Sequence, residues 1–180
     1  MFVEVPITNE IKDIAMDRAK RTIESAEGLV SKFQTNELQN KTIGFIGELI
    51  FKEWLKNNNI NFEHEIVYGK ADGGDFIVGS KIVEVKTGKM TWDIKDLQSG
   101  YRFFIAEQQL DNKADFYVNI QLDNVLETAY ITGFISYKDT ESFKIIQTEK
   151  MVNPAKAITI SSLTNMKEFN ANLNTIKEVK

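Results

Sequence analysis

Residues 72–89 read DGGDFIVGSKIVEVKTGK, with the pair Gly79-Ser80 separating two apolar runs. Gly-X between apolar runs signals a two-residue hairpin turn, because glycine enters the positive-φ first position without a steric penalty. Pairing Val78 with Lys81 across that turn sets Ile77 against Ile82, Phe76 against Val83 and Asp75 against Glu84. Directly opposed residues of antiparallel strands share a face, with Cβ atoms about 4.5–5.5 Å apart. Lys86 lies two residues beyond Glu84, so alternation brings it to the same face. Opposed carboxylates repel, and the arrangement calls for a compensating cation, for which a divalent metal is the natural candidate. The simpler alternative is an ordinary surface pair between Glu84 and Lys86. Asp75 argues against it by adding a second negative charge.

Working outward, residues 8–27 have helical spacing, with Ile11, Ile14, Ala15, Arg18, Ala19 and Ile23 on one side. Thr8 or Asn9 is placed to cap this helix and Gly28 to end it. A second helix is predicted over 36–57, carrying Ile43, Ile46, Ile50, Phe51, Trp54 and Leu55 inward and stopping at Asn57-Asn58-Asn59. Strands are expected at 61–68, 75–78 and 81–86, then a loop or helix over 96–110 whose apolar contacts are Tyr101, Phe104 and Ile105. Further strands follow at 114–122 and 129–137, rich in aromatic and β-branched residues. A short element near 142–147, a strand at 157–160 and a closing helix over 162–176 complete the pattern. The order implies an α/β or mixed α+β domain, a central mixed sheet with helices on its faces.

The chain has 180 residues, 42% of them hydrophobic and 27% charged, a composition suited to one globular domain. It divides into an N-terminal helical extension (1–35), a motif-bearing core (36–122) and remaining strands with the closing helix (123–180). Cysteine is absent, which removes disulfides and thiolate metal sites. No segment approaches membrane-spanning length, and a soluble cytoplasmic protein without membrane contact is expected. The net charge of −4 argues against a broadly basic nucleic-acid binder but not against a locally acidic metal site.

Mg²⁺ takes oxygen ligands and is commonly held by one or two carboxylates together with substrate phosphate. Asp75 and Glu84 suit that role, with the Val85 carbonyl as a third protein ligand. Another carboxylate, Glu48, stands in Gly44-Phe45-Ile46-Gly47-Glu48 within an apolar helical run. Each interior helix glycine costs roughly 1 kcal/mol relative to alanine. Close approach of the helix to a packed neighbour or a ligand would account for keeping them.

The combination GFIGE (44–48), GGD (73–75) and EVK (84–86) resembles the PD-(D/E)XK nuclease superfamily, whose fold is restriction-endonuclease-like. The similarity covers about residues 40–122. Gly74 stands where the proline of the motif's name would be. The resemblance implies Mg²⁺-dependent DNA cleavage, with Mn²⁺ able to substitute. Asp75 and Glu84 would be metal ligands, Lys86 the catalytic lysine and Glu48 an auxiliary carboxylate. Two rivals stay open: a branched-DNA resolvase or repair nuclease of the same fold, and a non-catalytic nucleic-acid-binding subunit. Cutting both strands with one site per chain would call for a homodimer. Lys89, Lys95 and Arg102 follow the ExK strand and are candidate DNA contacts. Gln108 or Gln109 is a candidate to approach the site, and Trp92 to stack on a base. His64, the single histidine, reads as a surface residue, and Arg18, Lys20 and Arg21 as a solvated helix face.

Overall fold

The computed structural model describes residues 2–25, 37–64, 75–91, 93–97, 100–112, 114–149, 151 and 153–174. In chain order these form β1 (Val3–Pro6), α1 (Asn9–Ser25), α2 (Glu37–Asn57), β2 (Phe62–Glu63), β3 (Phe76–Val78) and β4 (Lys81–Lys89). There follow β5 (Arg102–Ala106), β6 (Phe116–Leu122), β7 (Thr128–Ser136), α3 (Tyr137–Thr140), β8 (Ile145–Ile146), β9 (Ala155–Thr159) and α4 (Phe169–Asn174).

The architecture is mixed α/β. Six strands form one sheet in the order β1-β7-β6-β4-β3-β2, and β5-β9-β8 form a second. Within the large sheet only β4 and β6 run parallel; their register matches Glu84 with Tyr117 and Lys86 with Asn119. A parallel pair needs a crossover of a dozen or more residues. Here the crossover contains β5 and two 3-10 turns, Ile94–Asp96 and Glu107–Asn112.

Alternation along β6 sends Phe116, Val118, Ile120 and Leu122 into one core with Ile46, Ile50 and Phe51 of α2 and Phe169 of α4. Tyr117 on the opposite face joins Ile135 of β7, Phe103 and Ile105 of β5 and Ile158 of β9 in a second core. The seven residues of β6 are consequently all buried. Helices α2 and α4 therefore cover one face, and the small sheet covers part of the other. The mixed sheet flanked by helices agrees with the fold class read from the sequence, and the small sheet is an addition to it.

Three local expectations change. Residues 102–106 are a strand rather than part of a loop or helix, since Phe103 and Ile105 are buried while Arg102 and Phe104 stay exposed. The closing helix is broken into the 3-10 turns Ile160–Ser162 and Met166–Glu168 before α4, because the Asn165 side chain caps the second turn. The N-terminus adds an unforeseen edge strand, β1, paired antiparallel with β7 from Val3↔Ile131 to Pro6↔Thr128.

Both long helices begin or end as their residues dictate. Thr8 Oγ1 accepts the Ile11 N–H at the start of α1, satisfying one of the amides a helix start leaves without an internal partner. After α2, Asn58 Nδ2 returns to the Trp54 carbonyl at 2.8 Å and Asn59 turns left-handed with φ 54°. Among the described residues no helix is long and apolar enough to cross a membrane.

Candidate active site

The hairpin register is Phe76↔Val83, Ile77↔Ile82 and Val78↔Lys81, with Gly79 at φ 64°, a conformation that carries no Cβ penalty in glycine. The Asp75 N–H donates to the Val83 carbonyl at 3.1 Å, extending the pairing by one residue and bringing Asp75 beside Glu84. Its Oδ2 accepts the Val85 N–H at 2.6 Å. The N–H and C=O of one strand residue point to the same side, so the Val85 carbonyl lies along the edge that Asp75 closes.

Glu84 is buried. Its Oε1 accepts from Lys86 Nζ, while Oε2 is buried without a hydrogen-bond partner. Lys86 Nζ donates a second bond, at 3.0 Å, to Oε1 of Gln109, one of the two glutamines singled out as candidates. The neighbouring Tyr117 keeps its hydroxyl buried and unpartnered. Burial first, and then the Glu84 charge, raise the proton affinity of that phenol.

Glu48 reaches the cluster from α2. A Cβ on Gly47 would lie 1.8 Å from Thr87 Oγ1, so the helix backbone sits directly on β4 there, whereas a Cβ on Gly44 would meet nothing within 4 Å. Close approach explains the first glycine and not the second. Glu48 Oε2 stands 3.4 Å from Nε2 of His64, with the two side chains 17% and 4% exposed. His64 also stacks on Phe76 with ring centroids 4.3 Å apart. The surface placement expected for this histidine is overturned: strand β2 lays the ring over the start of the hairpin, where Phe76 and Glu48 enclose it. A hydrophobic neighbour that distant in sequence leaves no local signal.

The electrostatics show an excess of negative charge at the hairpin. Burial raises the Asp75 pKa well above the carboxylate range, Glu48 and Glu84 raise it further, and the Val85 N–H and Lys86 offset part of the shift. His64 is pushed down to about 4 by burial and then by Lys52 and Arg18, with Asp75 opposing. At neutral pH the imidazole is therefore uncharged, and because a carboxylate can only accept, a hydrogen bond to Glu48 requires the tautomer with its proton on Nε2. Lys52 is itself lowered, mainly by burial and then by Lys56 and Arg18. Arg18 departs from the solvated reading: Nη1 is buried without a hydrogen-bond partner. Arg21 fits that reading, in an exposed pair with Asp17 at 2.9 Å.

Among the described residues no three histidine, aspartate or glutamate side chains form a ready-made metal group. Two features nevertheless fit a hard cation: the orphaned Glu84 Oε2 and an Asp75 carboxyl made basic first by burial and then by neighbouring carboxylates. A hard divalent ion bound by two carboxylates and a main-chain carbonyl matches that donor set.

Of the candidate DNA contacts, Arg102 lines a cavity together with Lys86, Lys95 lies exposed in a 3-10 turn, and Lys89 ends β4. Trp92 and the side chain of Gln108 fall outside the described residues. Sequence reading passed over Asn119 and Gln121, both buried on β6. Two amides alternating inside the apolar run FYVNIQL were the available signal. No protein-family model and no curated protein sequence matches this chain.

Proposed function

We propose that this chain is a Mg²⁺-dependent endodeoxyribonuclease that hydrolyses phosphodiester bonds through Glu48, Asp75, Glu84 and Lys86. The observation carrying the proposal is that the hairpin joins Asp75 to the Val85 amide at 2.6 Å and Glu84 to Lys86, leaving Glu84 Oε2 buried and free. Asp75, Glu84 and the Val85 carbonyl would hold the metal, with Glu48 as a further carboxylate. When bound, the ion supplies positive charge to the phosphate and lowers the pKa of an attacking water.

The remaining chemistry belongs to the side chains. Lys86 keeps its ammonium aimed by two acceptors, Glu84 Oε1 and Gln109 Oε1 at 3.0 Å. A fixed N–H donor toward developing oxyanion charge stabilises a transition state without reorganisation. His64 positions the Glu48 carboxylate from 3.4 Å. DNA as partner, a homodimer for double-strand cuts, Mn²⁺ substitution and a cytoplasmic location belong to the same proposal.

Nicking of supercoiled plasmid in Mg²⁺, monitored on agarose gels, is the direct test. Asp75→Asn, Glu84→Gln and Lys86→Met should each lower the rate by at least about a hundredfold, the scale of a lost electrostatic catalytic group. Cleavage that persists in EDTA, or is unchanged by all three substitutions, rejects the reading.

A further inference from the structure

Beside Lys86, on the side away from Asp75, lies a cavity of about 260 Å³ whose lining includes Tyr101, Arg102, Phe104, Asn119 and Gln121. It is smaller than the ~300 Å³ at which pockets for drug-sized ligands begin, a size suited to a single planar ring system. Phe104 is 49% exposed despite its size, and Gln121 is only 1% exposed.

The hydrogen-bond pattern determines what this cavity offers. The Lys86 carbonyl can only accept, so Asn119 must turn its Nδ2 toward it, at 3.0 Å. Asn119 Oδ1 then accepts from the Thr132 hydroxyl at 2.7 Å and from Gln121 Nε2 at 3.1 Å. With its amino group committed, Gln121 is left with Oε1, which is buried and has no partner. Gly88 makes room for this oxygen, since a Cβ there would stand 2.7 Å from it. An unsatisfied acceptor buried just behind a cavity wall carries a standing cost, which a ligand bringing a donor to it would remove.

We infer that this cavity is a nucleobase subsite, reading the amino group of an adenine or cytosine next to the phosphate held at Lys86. The inference rests on the nuclease reading and adds a preference to it. The exposed Phe104 ring supplies a face for stacking, Arg102 a charge for the adjoining phosphate, and Gln121 Oε1 the acceptor for the base. That oxygen is out of contact with water, so the base reaches it only after the lining side chains shift. Thymine has no exocyclic amino group, and its one pairing-edge donor, N3–H, is flanked by two carbonyl oxygens that repel the same acceptor, so it is the poorer partner. A base enters such a pocket only after leaving its stack, which favours single-stranded or distorted DNA over regular duplex.

The test is fluorescence anisotropy of labelled single-stranded oligo(dA), oligo(dC) and oligo(dT) in EDTA, so that no cleavage intervenes. Wild-type protein should bind oligo(dA) and oligo(dC) about tenfold more tightly than oligo(dT), the effect of one well-placed hydrogen bond. Gln121→Met should bring all three to the oligo(dT) level. Phe104→Ala, at an exposed position that does not threaten folding, should weaken all three by about fivefold or more through lost stacking. Equal wild-type binding of the three oligonucleotides, or unchanged binding by Phe104→Ala, overturns the inference. If Mg²⁺ digestion proceeds in parallel, such a failure is confined to the subsite. Absence of both binding and digestion overturns the nuclease reading as well.

Discussion

Gly47→Ala and Gly44→Ala should have opposite effects on stability, although both replace a glycine in the interior of α2. Alanine is favoured over glycine in a helix by about 1 kcal/mol. At Gly44 nothing lies within 4 Å of the new methyl, and the helix gain should appear nearly whole, raising stability by about 1 kcal/mol. At Gly47 the methyl would stand 1.8 Å from Thr87 Oγ1 and 2.9 Å from both Thr87 Cβ and Cγ2. Rotation of the threonine relieves Oγ1 and Cγ2 but cannot move Cβ, so the helix must separate from β4. Overpacking of this kind costs up to about 3 kcal/mol, which leaves a net loss of about 2 kcal/mol once the alanine helix preference is subtracted. Urea denaturation reads both effects: with a slope of about 2 kcal/mol/M, the Gly47 variant should lose about 1 M in midpoint. In a Thr87→Gly background the same Gly47→Ala change should become stabilising, because the obstructing atoms are gone. Nicking activity should fall with the single variant, since Glu48 moves with the helix. A Gly47→Ala protein as stable as wild type would show that α2 does not rest on β4, and the placement of Glu48 would fall with it.

Two further outcomes follow from the site's charges. In EDTA, the folded His64 pKa of about 4 lies below its ordinary value of 6.5, so between these limits the unfolded chain binds more protons. Its contribution to stability is therefore present above pH 6.5 and is lost as pH falls toward 4. Asp75, raised instead, contributes the opposite slope, so the His64 term is isolated by subtracting urea-derived stabilities of His64→Gln from those of wild type across that range. A flat difference curve would refute the buried, neutral imidazole. Mg²⁺ should raise the melting temperature of wild type, with about 2.7 kcal/mol of stabilisation at a hundredfold excess over Kd, and the gain should shrink at lower pH because Asp75 must release its proton to bind. Differential scanning calorimetry with Asp75→Asn, which should lose most of that gain, checks the assignment.

What the sequence determined by itself was local. A Gly-Ser turn between apolar runs and a side-chain period of two specify the hairpin register, and with it the juxtaposition of Asp75, Glu84 and Lys86. The Thr8 cap and the asparagine stop after α2 are equally local, because their partners lie three and four residues away. Tertiary structure decided which distant segment covers each face. The residues RFFIA became a strand through pairing with β9, β1 found β7, and His64 was drawn over Phe76 and against Glu48. The free acceptor on Gln121 likewise depends on Lys86, Asn119 and Thr132 coming from three strands. Periodicity marks the side of an element that must be buried; it does not identify the partner, which is chosen by packing between residues far apart in the chain.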